Sequence, residues 1–261
     1  MGLMQTSGAI PVLFCSVTIR ARMATLVFDI ETTALPLDQF DDSQQEYLLR
    51  EAAKQPDEES RKAKREEIQR FMSLWPLTAQ VLCIAMINAD TERGQVIYVG
   101  EDFEEGEQAP GAVKFVPCVD ETELLTLFWE TVSHYEHIVT FNGRGFDVPF
   151  VYLRSAVLNV PITQKKWLGY RFAVEPHCDL AEQLSFYNVS GRDGAARRFN
   201  LDFYCRAFGI DSPKSHGVTG MDVGTLMAEG RHREIAEYCV RDVRATLELY
   251  RIWKDRLSGI K

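Results

Sequence analysis

No C-x-x-C pair occurs in this chain. Its six cysteines, Cys15, Cys83, Cys118, Cys178, Cys205 and Cys239, are scattered. The spacing gives no zinc pattern and reads as reduced thiols of a cytoplasmic protein. The five histidines, His134, His137, His177, His216 and His232, form no metal-ligand spacing. A Ser/His/Asp or Cys/His nucleophile arrangement is also missing. Long apolar runs are absent: residues 8–19 are mildly apolar but too short to span a bilayer. With no Lys or Arg before them, they do not read as a secretory signal, and no membrane partner is expected. Positive charge is short as well, because the formal net charge is −9. An acidic chain is not a general electrostatic binder of nucleic acid. An enzyme acting on nucleic acid stays open, since a carboxylate-rich metal site itself adds negative charge.

What is present suits one large α/β domain, or a domain with an insertion: 261 residues, 46% hydrophobic and 11% aromatic. Met23 lies just before an apolar run, so residues 1–22 are expected to be a dispensable extension or a misassigned start. The domain is then 23–261. Residues 40–72 are rich in Glu, Lys, Arg and Gln, and predict one or two charged surface helices broken near Pro56. A solvated insertion is the plainer reading, and a substrate clamp the sharper one. Strands are expected at Val81–Asn88 and Gln95–Val99, around a turn at Glu92-Arg93-Gly94. An acidic loop follows at 101–111, then a helix over Glu121–His134 and a buried strand over Ile138–Phe141. Helices are expected over Asp147–Leu158, Leu180–Tyr187, Leu201–Phe208 and Arg231–Trp253. That order suits a mixed sheet flanked by helices.

Three acidic elements carry chemistry. In Leu26-Val27-Phe28-Asp29-Ile30-Glu31-Thr32, the apolar residues predict a short buried strand. Alternation points Asp29 and Glu31 the same way, roughly 6.5 Å apart along the strand. Such a pair is costly to ionise, and a divalent metal removes that cost. The second element is Phe141-Asn142-Gly143-Arg144-Gly145-Phe146-Asp147, whose glycines permit a sharp strand-to-helix turn. Read alone, Asp147 there is equally an ordinary helix cap. A third glycine is missing, which rejects a dinucleotide fingerprint. The third element lies on the last helix. Arg233, Glu237, Arg241, Arg244, Glu248 and Arg251 form a solvated stripe; Ala236, Val240, Val243, Leu247 and Tyr250 form an apolar one. Tyr238 and Asp242, four apart, fall on a third face among groups that read as buried. Asp242 alone is equally a structural aspartate.

Taken in order, Asp-x-Glu, Asn-x4-Asp and Tyr-x3-Asp resemble the DEDDy group of 3′–5′ exonucleases, within it the stand-alone exonucleases similar to family B DNA polymerase exonuclease domains. Supporting resemblance comes from His177-Cys178-Asp179-Leu180, Leu201-Asp202, Phe208-Gly209-Ile210 and Ser212-Pro213-Lys214, so the likeness spans about residues 24–254. It implies a ribonuclease H-like three-layer α/β fold with a mixed sheet of five strands or slightly more. It implies four carboxylates, Asp29, Glu31, Asp147 and Asp242, holding two Mg2+ ions with Mn2+ as substitute. Tyr238 is implied to orient the attacking water. The implied substrate is the 3′ end of single-stranded DNA, with RNA as the nearest rival; a silent nucleic-acid-binding module is the rival of another class.

The resemblance also implies substrate contacts from Asn142 and, through its Ser-Pro-Lys context, from Lys214. It places Thr32 and Thr33 where either can offer a hydroxyl or amide to the terminal 3′-OH. Phe146 is a stacking candidate with a core role as the plainer reading, and Asp179 is a candidate additional acid behind the site, with helix N-capping as the plainer reading. Lys165, Lys166, Arg171, Arg192, Arg197 and Arg198 lie in loop-like stretches where they either contact phosphates or are simply solvated.

Overall fold

The computed structural model describes residues 24–101, 113–188, 194–213, 220 and 222–260. The expectations for residues 1–22 and for Arg192 and Lys214 lie outside them, as does nearly all of the acidic 101–111 loop. Among the described residues six strands form one sheet: β1 (Thr25–Ala34), β2 (Ala79–Asn88), β3 (Gly94–Val99), β4 (Val113–Cys118), β5 (His137–Thr140) and β6 (His177–Asp179). Their spatial order is β4-β3-β2-β1-β5-β6. β1 pairs antiparallel to β2 and parallel to β5, so the sheet is mixed, as expected.

Side chains of β1 alternate between two cores. Leu26, Phe28 and Ile30 enter a cluster with α3 (Glu121–Val132) and α4 (Asp147–Val157), where Phe128, Trp129 and Trp167 pack. Val27 enters the opposite cluster, beneath the long α8 (His232–Arg256), with Ala236, Cys239, Val240 and Val243. Helices therefore cover both faces, which makes three layers. The described residues also form α1 (Asp42–Ala53) and α2 (Glu58–Met72) between β1 and β2, and α5 (Leu180–Leu184), α6 (Leu201–Phe208) and a six-residue α7 (Val223–Ala228) before α8.

The charged 40–72 stretch forms the two helices that its break at Pro56 suggests. Asp41 and Gln44 form a reciprocal capping box on α1, and Asp57 caps α2. Other expectations are corrected. The expected helix over Leu180–Tyr187 ends at Leu184, and Phe186 and Tyr187 then take left-handed backbone angles. β4, β6 and α7 were not expected at all. On α8 the expected charged stripe is only partly solvated: Glu248 and Arg251 are exposed, but Arg233, Glu237, Arg241 and Arg244 are half-buried, because the neighbouring elements pack around the helix.

α4, which carries Asp147, is held to the sheet by a buried ion pair. Arg154 donates to both carboxylate oxygens of Glu121, at 2.9 and 2.6 Å, and to the Pro76 carbonyl. Glu121 also accepts the Val81 amide of β2. Removing one partner of a buried pair leaves the other charge stranded. Arg154→Ala should therefore destabilise the fold by about 3–5 kcal/mol in urea unfolding. Double replacement, Glu121→Gln with Arg154→Met, should cost clearly less.

Candidate active site

Asp29 and Glu31 continue the β1 face that begins with Val27, so both carboxylates turn toward α8. α8 reaches the strand directly: the Cys239 thiol donates to the Asp29 carbonyl at 3.4 Å. That contact places Tyr238 and, one turn further on, Asp242 beside the two strand acids. Just past Glu31 the β1–β2 pairing slips, from Glu31 opposite Cys83 to Thr32 opposite Val81. Bulges of this kind end regular pairing and re-aim side chains next to sites. Asp29, Glu31 and Cys239 bring ligand-type atoms within 4.8 Å of one another. Burial keeps the Cys239 thiol protonated, pushed well above its ordinary value, so the oxygen donors are the acids.

Asp147 arrives from the other side of β1. It is the first residue of α4, and the residue before it makes no side-chain cap. Instead of capping, its Oδ1 accepts the Ile30 amide at 3.2 Å, between the two strand acids and beyond the last β1–β5 pair. The turn that delivers it is fixed by polar groups. Asn142 holds a left-handed backbone (φ 66°). Asp179 accepts the amides of Asn142 and Arg144, both at 2.9 Å, while capping α5 through Ala181. Thr140 Oγ1 accepts the Gly143 amide, and a Cβ at Gly143 would collide with that Thr140 side chain. Behind Thr140 stands buried His177. Its Nδ1 lies against the Trp167 carbonyl, which can only accept, so Nδ1 carries the proton and Nε2 accepts from Thr140. Burial, aided by Arg144, lowers the His177 pKa to about 3, which keeps the ring neutral.

The four acids oppose one another electrostatically. Asp29 is raised well above the carboxylate range, first by burial and then by Asp147, Asp242 and Glu31. Glu31 is raised in the same way, by burial and then by Asp242 and Asp147. Asp147 is raised to about 7, by burial and then by Asp179, while its contacts with the Ile30 amide and Asp29 pull it partly back. The Tyr238 phenol is pushed up by burial and by Asp242, to which it donates. Among the described residues, no Lys, Arg or His is ion-paired with Asp29, Glu31 or Asp147. Hard oxygen donors converging with suppressed ionisation fit a divalent cation such as Mg2+ or Mn2+.

The remaining predicted residues scatter around this centre. Thr32 is buried and donates its hydroxyl to the Ser73 carbonyl at the end of α2. Asn142 Oδ1 accepts from Arg198 at 3.2 Å. Phe146 is half-buried against Phe150, with ring centroids 5.3 Å apart. Pattern reading missed Asp179 as the clamp of the Asn142–Arg144 turn, because the clamp acts on backbone amides and leaves no side-chain signature. It missed Glu182 as well, a buried carboxylate ringed by arginines.

Several known proteins are similar to this chain. DNA polymerase 1 of Saccharolobus solfataricus is 26% identical over 178 residues, covering 65% of this chain and 19% of the polymerase. An uncharacterized protein of Methanocaldococcus jannaschii is 34% identical over 148 residues, covering 52% of this chain and 77% of that protein. The structure of the family B DNA polymerase from Pyrobaculum calidifontis matches with a TM-score of 0.52 and 20% identity, over 89% of this chain and 24% of its own. That likeness is one of fold, and the three-layer arrangement is ribonuclease H-like, as the sequence resemblance implies. The chain spans about a fifth of the length of the Saccharolobus polymerase. A profile for predicted 3′–5′ exonucleases related to the exonuclease domain of PolB matches residues 77–257, which leaves Asp29 and Glu31 of β1 outside the match. That match covers more than half of the chain, and the chain belongs to this family of PolB-related predicted exonucleases.

Proposed function

We propose that the protein is a metal-dependent 3′–5′ exonuclease that shortens single-stranded DNA by a two-metal-ion mechanism. The observation that carries this reading is the convergence of Asp29, Glu31 and Asp147, with their ionisation suppressed and no described cation paired to them, beside Tyr238 and Asp242. Two divalent ions bound there supply water activation and stabilisation of the leaving 3′ oxygen. Asp29, Glu31, Asp147 and Asp242 would be the residues that hold them. Tyr238 holds its proton on Asp242, so its phenol oxygen can accept a hydrogen bond from the attacking water and orient it. The product is a nucleoside monophosphate released from the 3′ end. Asn142 is assigned to the terminal nucleotide, with Arg198 holding its carbonyl oxygen. The Thr32 hydroxyl hydrogen is engaged by Ser73, which leaves the Thr32 oxygen as an acceptor for a terminal 3′-OH. Lys214 is retained as a phosphate contact on the resemblance alone, and Phe146 as a residue that shapes the turn.

The direct test follows a 5′-labelled single strand, DNA beside RNA, with Mg2+, Mn2+ or EDTA. The expected result is a metal-dependent ladder shortening from the 3′ end on DNA, abolished by Asp29→Ala and Asp147→Ala. Tyr238→Phe should retain metal binding and lose about 10–100-fold in rate, the usual cost of removing a group that orients but does not ligate. Intact DNA and RNA under every condition would overturn the reading.

A pH prediction follows from the raised carboxylates. In the metal-free protein, folded Asp29, Glu31 and Asp147 bind protons more tightly than the unfolded chain does. Stability is then greatest below the unfolded value of about 4 and declines as pH rises through the folded values. Metal-free protein should melt at a lower temperature at about pH 8 than at about pH 5. Asp147→Asn should flatten that decline, and Mn2+ should restore the loss at the higher pH.

A further inference from the structure

Glu182, on α5, is buried, and three arginines surround its single carboxylate. Arg171 pairs with it at 2.7 Å, and Arg144 and Arg198 stand at 3.8 Å. One carboxylate cannot satisfy three guanidinium forks. The buried Nε atoms of Arg171 and Arg198 and one Glu182 oxygen have no hydrogen-bond partner among the described residues. Counting the nearby Asp179 carboxylate still leaves an excess of positive charge, in a chain that is acidic overall. Arg171 and Arg198 still keep 41% and 31% of their side chains exposed, and a guanidinium group reachable from solvent suits a phosphate oxygen, which Arg contacts in fork geometry.

The trio is joined to the acidic centre by direct contacts. Arg198 donates to Asn142, the residue that opens the turn leading to Asp147. Arg144 belongs to the same turn, with its amide on Asp179. Exposed aromatic rings stand next to the trio along the chain. Tyr170 and Phe172 flank Arg171 in sequence and are 75% and 54% exposed; Phe186 is 62% exposed. Tyr170 packs on Phe172, and Phe172 packs edge-on to Tyr187, with centroids 5.6 and 5.0 Å apart. Phe186 and Tyr187 both hold left-handed backbone angles, φ 48° and 57°, a costly conformation for bulky side chains. The turn is held by the Tyr187 amide on the Glu182 carbonyl and the Tyr187 hydroxyl on the Phe172 carbonyl. Strain of that kind, kept at a surface that leaves one phenylalanine in solvent, suggests use rather than accident.

We propose that Tyr170, Arg171 and Phe172, with Arg144, Arg198 and the Phe186–Tyr187 turn, form the track that holds an unpaired nucleic-acid strand as it approaches the acidic centre. Arg171 and Arg198 take backbone phosphates, Arg144 stands buried behind them beside Glu182, and the aromatic rings offer faces on which unpaired bases stack. Base stacking on aromatic rings combined with a basic groove is the general physics of single-strand binding, and it tolerates any sequence. A duplex, whose base faces are already stacked, gains only the phosphate contacts. The proposal rests on the exonuclease reading for its substrate but makes a separate demand, that binding depends on these rings in the absence of metal.

The test measures fluorescence anisotropy of labelled oligothymidylate of about twelve nucleotides, with oligouridylate alongside, in EDTA so that nothing is cleaved. Tyr170→Ala/Phe172→Ala should weaken binding of the single strand by about 10-fold or more, with an unchanged melting temperature. Arg171→Ala should lower the slope of log affinity against log salt by about 0.7, the loss of one phosphate contact on a single strand. Full affinity in the double variant would overturn the track and leave the exonuclease reading standing. Ring-dependent binding by a protein that cleaves no 3′ end would instead overturn the exonuclease reading and keep the track. Equal losses on the two oligonucleotides would place the contacts on phosphates and base faces; a loss confined to one would overturn that sequence- and sugar-independent description.

Discussion

Asp29, Glu31 and Asp147 cannot all ionise in the metal-free protein at neutral pH without opposing one another in a mostly dry site. Burial raises each of them, and each adds to another's cost. Nothing in the described residues offsets that repulsion with a paired cation. The molecule meets the constraint by spreading the acids over three elements that are anchored elsewhere. β1 is paired on both edges. α4 is fastened through Arg154 and Glu121. α8 buries one long side against the sheet and touches β1 at Cys239. The rigid surroundings keep the carboxylates close when separation would lower their energy, and preorganisation of this kind is what a divalent cation site requires.

A second layer of polar contacts connects that centre to the surface. His177, Thr140 and Gly143 form one buried run of hydrogen bonds, and Asp179 holds the two amides on either side of Gly143. Both act on the turn between β5 and α4 and therefore on the position of Asp147. From the same turn, Asn142 and Arg144 lead outward to Glu182 and its arginines. A chain with an overall negative charge thus keeps positive charge local, beside the acidic centre, where a polyanionic strand would otherwise be repelled.

Much of the site was legible in the sequence because its signals are local. The apolar alternation in Leu26–Glu31 placed both acids on one face, and the spacing of Tyr238 and Asp242 set them on one side of α8. The glycines around Arg144 marked the turn before Asp147. Misses came where local signals fade. β4 lies at the sheet edge and contains Pro117, a residue that weakens any strand pattern. β6 is three residues long, and α7 only six. The charged stripe of α8 read as solvated, since periodicity says nothing about neighbours contributed by distant segments. Arg171 and Arg198 stood out only as loop cations, and their meeting with Arg144 around Glu182 was invisible for the same reason: the three arginines come from separate loops and meet only in the fold. Asn142 and Thr32 were picked out as residues, but their pairings with Arg198 and Ser73 were not.

The most direct measurement is calorimetric titration of the metal-free protein with Mn2+ near neutral pH, in buffers of different ionisation enthalpy, for wild type and Asp147→Asn. Protonated carboxyl groups must lose their protons to ligate an ion. Wild type should bind Mn2+ and release about one proton or more per protein, with weaker binding and less release in the variant. Saturable binding with no proton release, or no binding at all, would contradict the description of Asp29, Glu31 and Asp147 as a proton-holding site poised for a divalent metal.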